Sequence, residues 1–312
     1  MKIAFVFPGQ GSQYAGMGKE LAEKWPVARR VFDEADESLG FRLSELCFTG
    51  PEEQLKLTEN TQPALLAVSI AAFEVLRAMG VEASIVAGHS LGEYSALVAA
   101  GAIAFNDAVR LVRKRGRYMQ EAVPAGTGAM AALLRMPQER LAEVLENAAQ
   151  GEVVSAANLN SPDQIVIAGD RGAVERAIEL AKAAGARRAV LLPVSAPFHC
   201  ALMRPAQERM RPELEATAFH DLEVPLINNW QAREIRTAEE AREGLYQQIP
   251  NPVLWTEAVR GLGAAGVSTA IEVGAGAVLC GLIRQIESSI RTASFGSSGS
   301  ESELEKVRAL IS

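Results

Sequence analysis

Apolar positions along the chain come in two kinds of run: short and wholly apolar, or longer and spaced for one face of a helix. Ile3 to Phe7 (IAFVF) is the first short run and predicts a strand, followed by the loop PGQGSQ. Amphipathic helices follow, then TQPALLAVSIAAFEVLRAMG as one long buried helix. Ser84 to Ala87 reads as the end of a buried strand, and Glu93 to Ala100 is rich in helix formers with Gly101 as its stop. Strands alternating with helices in this way predict an α/β core whose parallel sheet is covered on both faces.

From about Ala129 the rhythm changes. AMAALLRM is a strand, PQERLAEVLENAA a helix opening at Pro137, and VVSAAN a strand. After the turn NSPD come the strand QIVIAG, the helix DRGAVERAIELAKAAG and the strand RRAVLLP. The order β-α-β-β-α-β is the ferredoxin-like arrangement. The expected organisation is therefore an inserted small domain, 124–194, within a discontinuous α/β domain made of 1–123 and 195–312. Two further strands are expected at PLINN (Pro225 to Asn229) and TAIEVG (Thr269 to Gly274), with NPVLWTEAVRGLGAAG between them as a helix. SFGSSGSES reads as a flexible piece before a short last helix.

Composition narrows the function. The 312 residues carry 31 basic and 38 acidic side chains, a net charge of −7, which argues against general nucleic-acid binding. Cys47, Cys200 and Cys280 are far apart and form neither a CxxC pair nor a zinc pattern, so a reducing, cytoplasmic compartment and no metal are expected. The run IAFVF is too short for a signal-peptide core. PALLAVSIAAF ends at Glu74 and Arg77, which marks a buried helix rather than a membrane span.

Gly88-His89-Ser90-Leu91-Gly92 falls at the predicted strand-to-helix turn. Glycines flanking such a turn can hold a serine oxygen exposed above a sheet, near a helix N-terminus. Ser90 is thus either a nucleophile or a capping serine in a tight glycine turn. A nucleophile needs a base, and the chain offers His89, His199 and His220. His89 leaves the turn in another direction and suits a supporting hydrogen bond. His220 lies in a polar, loop-like stretch. His199, in LPVSAPFHCALM at a strand exit between the two expected domains, is best placed to reach a site, with a buried structural histidine as the competing reading. Asp163, Asp170 and Asp221 are more simply turn or cap residues, so no third, carboxylate member is identified and a Ser-His dyad is expected.

On a helix from Asp107 to Glu121, Arg110, Arg113, Lys114 and Arg117 form one basic stripe, a solvated face by default. Arg115 falls instead beside Ala108, Leu111, Val112 and Met119. A guanidinium there needs an anion, either an internal ion-pair partner or a substrate carboxylate held in bidentate fashion, unless it snorkels to solvent. Gly116 weakens the helix assumption. FPGQGSQ lacks the pattern of a phosphate or dinucleotide loop and is better used as a source of backbone N–H groups for an oxyanion.

Taken together, FVFPGQGSQ, TQPALLA, GHSLGEYSALVAAG, RKRGRYMQEAVP, NSPDQIVIAG, VSAPFHCALM, NPVLW and IEVGAG resemble the malonyl-CoA:acyl carrier protein transacylases of type II fatty acid synthesis, in the family's order from Phe5 to about Leu282. Acyltransferase domains of polyketide synthases share these motifs. The resemblance implies an α/β hydrolase-like core with a ferredoxin-like insert. It also implies roles: Ser90 as acylated nucleophile, His199 as general base, and the backbone N–H groups of Gln10 and Leu91 as oxyanion hole. Gln248 would orient the histidine through its main-chain carbonyl, and Arg115 would hold the malonyl carboxylate. Phe198, His89 and Asn160 would lie at the substrate, with Leu91 and Phe198 matching malonyl-type rather than methylmalonyl-type members. SAPFHC departs slightly from the HAFH wording of the polyketide domains but keeps Phe-His.

The implied partners are malonyl-CoA and an acidic acyl carrier protein, without metal or redox cofactor, nucleic acid or membrane, and the family expectation is a monomer. The stripe Arg110/Arg113/Lys114/Arg117 and the group Lys182/Arg187/Arg188 are candidate carrier-docking patches. Three alternatives are a serine thioesterase or esterase with water as acceptor, a trans-acting polyketide acyltransferase, and a non-catalytic carrier-binding protein.

Overall fold

The first strand explains the architecture. In β1 (Lys2–Phe7), Phe5 and Phe7 point into one apolar cluster while Ala4 and Val6 point into another. Side chains alternate across a strand, so a run apolar at every position must be covered on both sides. The Thr58–Ala78 helix covers one face, through Leu65 and Val68 among others. The Trp255–Ala264 and Val278–Ile286 helices cover the other, through Trp255, Val259 and Ile283.

The computed structural model describes residues 1–194 and 196–311. Ser195, where the second stretch of the expected large domain begins, and Ser312, where it ends, lie outside them. The remaining strands are β2 (Ile85–Gly88), β3 (Gly128–Leu134), β4 (Val154–Ser161), β5 (Gln164–Asp170), β6 (Arg188–Leu191), β7 (Leu226–Ile227), β8 (Glu234–Ile235), β9 (Val267–Val273) and β10 (Arg291–Phe295). They form a six-stranded sheet, β10-β9-β1-β2-β7-β8, and a four-stranded one, β4-β5-β3-β6.

The large sheet is parallel except at one edge, where β8 returns antiparallel on β7. That departure from the expected parallel sheet arises because Asn228 and Arg233 close a short turn through their backbones, and a two-residue strand leaves no periodic trace. The other unforeseen strand, β10, lies on the polar threshold of SFGSSGSES and is ordered by pairing with β9.

The small sheet is antiparallel throughout. Its outer face, with Leu133, Ile165 and Ile167, packs on the Gln138–Ala149 and Arg171–Ala183 helices. Met130, Val166 and Ala168 on its inner face join the core of the large sheet. β4 continues to Ser161, beyond the expected VVSAAN, so the turn shrinks to Pro162-Asp163. β4 is also bonded to the chain at Val253, which donates to Ala157 O and accepts from Leu159 N. Residues 251–254 serve as this tie, and the helix expected from Asn251 starts only at Trp255.

Two helices aim the chemistry. The Phe105–Glu121 helix runs unbroken through Gly116. A Cβ there would lie 2.6 Å from Thr58 O, so glycine lets this helix touch the Thr58–Ala78 helix. Pro63, inside the latter, cannot donate to Glu59 O. Arg113 fills that vacancy with Nη1 at 3.3 Å, while its guanidinium stacks on Phe41.

Candidate active site

β2 ends at Gly88, and a new helix runs from Gly92 to Ala99. Contact forces glycine at both ends of this turn. A Cβ on Gly88 would sit 2.0 Å from the Gly92 carbonyl, and one on Gly92 2.0 Å from Phe7 O. Between them Ser90 adopts φ 52°, a left-handed conformation seldom taken by residues with a side chain. The geometry is the strained strand-to-helix turn that a nucleophile elbow requires.

His199 arrives from beyond the small sheet, also left-handed at φ 58° and buried. Its Nε2 lies 2.7 Å from Ser90 Oγ and its Nδ1 lies 2.8 Å from Gln248 O. A carbonyl only accepts, so Nδ1 carries the proton and Nε2 is the free base facing the hydroxyl. Burial, and then the positive charge of Arg115, push the imidazole down to about 3, so it is neutral at physiological pH.

Arg115 is 1% exposed. It donates from Nη1 to Gln62 Oε1 at 2.8 Å, and from Nη2 to Gln248 Oε1 at 2.7 Å and Ser90 Oγ at 3.2 Å. These acceptors are two amides and a hydroxyl, and its Nε has no partner among the described residues. Its guanidinium also faces the Tyr94 ring at 5.5 Å. Glu93 reaches it through the Gln248 amide: Gln248 Nε2 donates to Glu93 Oε2 at 2.9 Å. Burial raises the Glu93 carboxyl to about 8, against the lowering effects of Asn229, Gln248 and Arg115. A buried cation held by neutral acceptors is a ready receptor for a carboxylate.

A cavity of about 350 Å³ opens where the loops after β1 and β2 meet the inner face of the small sheet. Gln10, Leu91, Arg115, Phe198, Met130 and Val166 are among its lining residues, with Ser90 and His199. The site residues expected from sequence thus converge on one place. His89 and Asn160 also line it, and they are joined through Nε2 and Oδ1 at 2.8 Å, which links the elbow to β4. Gln10 amide nitrogen Nε2 donates to Thr58 Oγ1 at 3.3 Å, which anchors its loop. His220 is exposed and away from the cavity lining. Asp221 accepts from Ala238 N at the start of the Ala238–Gln247 helix, as expected of a cap.

Three site neighbours escaped the sequence reading: Gln62, Glu93 and Asn229. Asn229 closes PLINN beyond a strand next to β2, and Glu93 is an acid in the buried first turn of a largely buried helix. Each was visible as a polar residue in a buried setting. The basic stripe is less free than a solvated face, since Lys114 pairs with Glu213 and Arg110 with Asp107. Lys182 pairs with Glu179, whereas Arg187 and Arg188 line a second cavity with Arg135 and Asp163.

Fold and site together define an acyl-transfer protein, and the family model described as "Acyl transferase domain" matches residues 4–300; the chain belongs to that family. Its relatives narrow the kind. The malonyl CoA-acyl carrier protein transacylase of Bacillus subtilis (strain 168) is 52% identical over 93% of this chain and 92% of its own length. An acyl carrier protein S-malonyltransferase crystal structure from Vibrio cholerae superposes with a TM-score of 0.95 at 47% identity, covering 98% of this chain and all of that one. A malonyl-transacylase solved in complex with a type II polyketide acyl-carrier protein gives 0.95 at 46% identity, covering 100% of this chain and 99% of that one. Among the described residues no helix is long and apolar enough to cross a membrane, and no group of three or more His, Cys, Asp or Glu could hold a metal ion.

Proposed function

We propose that this protein is an acyl-carrier-protein S-malonyltransferase, moving malonyl from malonyl-CoA to the phosphopantetheine thiol of acyl carrier protein for fatty acid elongation. The observation that carries this reading is Arg115: a buried guanidinium with only neutral acceptors, 3.2 Å from the nucleophile oxygen. The malonyl carboxylate docks on it and sets the thioester carbonyl against Ser90.

His199 Nε2 takes the Ser90 proton as Oγ bonds to the carbonyl carbon. The oxyanion rests on the backbone N–H groups of Gln10 and Leu91; loss of one such donor costs about 3 kcal/mol of barrier. Ser90 N–H is already given to Asn229 Oδ1, which leaves the next amide, Leu91, for this task. The C–S bond breaks, and CoA leaves with the proton from His199. In the second half the carrier thiol gives its proton to His199 and its sulfur attacks the ester. The C–Oγ bond then breaks and Ser90 recovers the proton. The Gln248 carbonyl keeps Nδ1 protonated throughout, which replaces a triad carboxylate. Every step uses the chain's own groups, so no cofactor is invoked.

We also take 124–194 as the inserted small domain and 1–123 with 195–312 as the larger one, with the small sheet supporting that division. Buried free thiols at Cys47, Cys200 and Cys280 suit a reducing compartment, and we place the enzyme in the cytoplasm.

Intact-protein mass spectrometry after brief mixing with malonyl-CoA tests the reading. One malonyl adduct is expected, absent from Ser90→Ala and discharged by holo-acyl carrier protein. Free malonate accumulating without the carrier would point to a thioesterase instead.

A further inference from the structure

Asn229 and Glu93 are as buried as any residue of the site, yet the steps above give them no part beyond occupying one amide. We propose that they are positioning residues which lock the nucleophile turn and the histidine-bearing carbonyl into one unit. The idea rests on the acyl-transfer reading and concerns how its two reacting groups are kept in register.

The Asn229 side chain spans the elbow. Its Oδ1 accepts from Ser90 N at 2.7 Å and its Nδ2 donates to Gly88 O at 2.6 Å. One amide thus clips both sides of His89 and holds Ser90 in its left-handed conformation. A carboxylate or a hydroxyl cannot supply that pairing, since the first lacks a donor and the second has one oxygen for both tasks. Asn229 is held in turn by Glu93, whose Oε2 accepts from Asn229 N at 3.1 Å. The same Oε2 accepts from Gln248 Nε2. Gln248 then reaches both halves of the dyad, through its carbonyl on His199 Nδ1 and its Nε2 3.3 Å from Ser90 O. Glu93 Oε1 meanwhile has no hydrogen-bond partner among the described residues. A buried acid with one idle oxygen is poorly explained by stability, and the two donors converging on the other oxygen give it a purpose.

Asn228 supplies a control. It is equally buried and adjacent, but its Oδ1 only accepts from Arg233 N in the turn to β8. The experiment measures single-turnover acylation of Ser90 by malonyl-CoA and, separately, by a fluorophosphonate that needs no malonyl contact. Steady-state kcat and KM and the thermal midpoint complete it. Asn229→Ala and Glu93→Ala should slow both modifications of Ser90 by roughly 10- to 100-fold, with KM for malonyl-CoA held within about threefold. Glu93→Gln keeps an acceptor oxygen and should stay within about threefold of the parent rate. Asn228→Ala should lower the thermal midpoint and leave the rate of the folded enzyme unchanged.

Asn229→Ala reacting at the parent rate with both reagents would overturn the proposal. So would Asn228→Ala slowing the reaction as much as Asn229→Ala. Should Asn229→Ala fail to fold, Asn229→Asp decides: it sets an oxygen against Gly88 O and should be slow, while a parent-like rate would again overturn the idea. A parent enzyme that takes the fluorophosphonate but not malonyl would sink the functional reading alone, leaving the fluorophosphonate rates to judge the positioning.

Discussion

Ser90 and His199 share an unusual backbone conformation, yet they are held there by different means. The serine turn is held by contact between main-chain atoms, with Gly88 against Gly92 and Gly92 against Phe7 of β1, and by the Asn229 amide across it. The histidine is held by a carbonyl 49 residues further along and by burial, and a cation from a third segment helps keep it neutral. The glycine contacts of the first arrangement are steric and tolerate almost nothing, while Asn229 is its polar tie. The second is polar and tolerates changes that keep the donors and acceptors. Damage to the glycine contacts should appear as lost stability, and damage to the polar ties as lost chemistry on an intact fold.

Gly88→Ala should have the largest effect. Its Cβ has only backbone to displace, so unfolding free energy should drop by about 3 kcal/mol or more, seen by chemical denaturation. A fully stable Gly88→Ala would break the contrast.

Next comes Arg115→Ala. Malonyl acylation should lose about 2–5 kcal/mol of transition-state binding, read from kcat/KM. Acetyl transfer should suffer far less, because an acetyl group offers no charge to the guanidinium. Equal losses for both substrates would remove the carboxylate clamp.

Smaller effects should follow pH. His199 has a folded value near 3, below the 6.5 of a free imidazole. As pH falls below 6.5 the unfolded chain gains a proton that the folded chain refuses, so stability declines toward pH 3. His199→Gln should flatten that decline in a thermal-unfolding series from pH 6.5 to 4.5. Glu93 slopes the other way. Its folded value near 8 exceeds the ordinary 4.5, so stability is lost as pH rises from 4.5 to about 8. Glu93→Gln should therefore gain on the parent across that window, and a parallel pair of curves would show that the acid is ionised throughout.

The same contrast separates what could be read early from what could not. IAFVF, GHSLGEY and the β-α-β-β-α-β order are local patterns in which strand, turn and helix preferences act over a few residues, and the structure has each of them. β8 and β10 carry too few apolar residues to announce themselves, because pairing with a neighbouring strand orders them. Arg115 was marked by its place on a helix face, but the company it keeps was not. Gln62 and Gln248, 53 and 133 residues away in sequence, supply its acceptors.

By itself the sequence determined the α/β alternation, the glycine-fenced serine and an arginine on the wrong side of its helix, since these follow from sterics and periodicity within single segments. The tertiary structure brought His199 and the Gln248 carbonyl, both expected from the sequence, to hydrogen-bond distance, and it alone decided that Arg115 meets only neutral acceptors and that Asn229 and Glu93 join the serine turn to Gln248. Hydrogen bonds between segments far apart in the chain depend on how the sheets and helices stack, and no local pattern of residues records that.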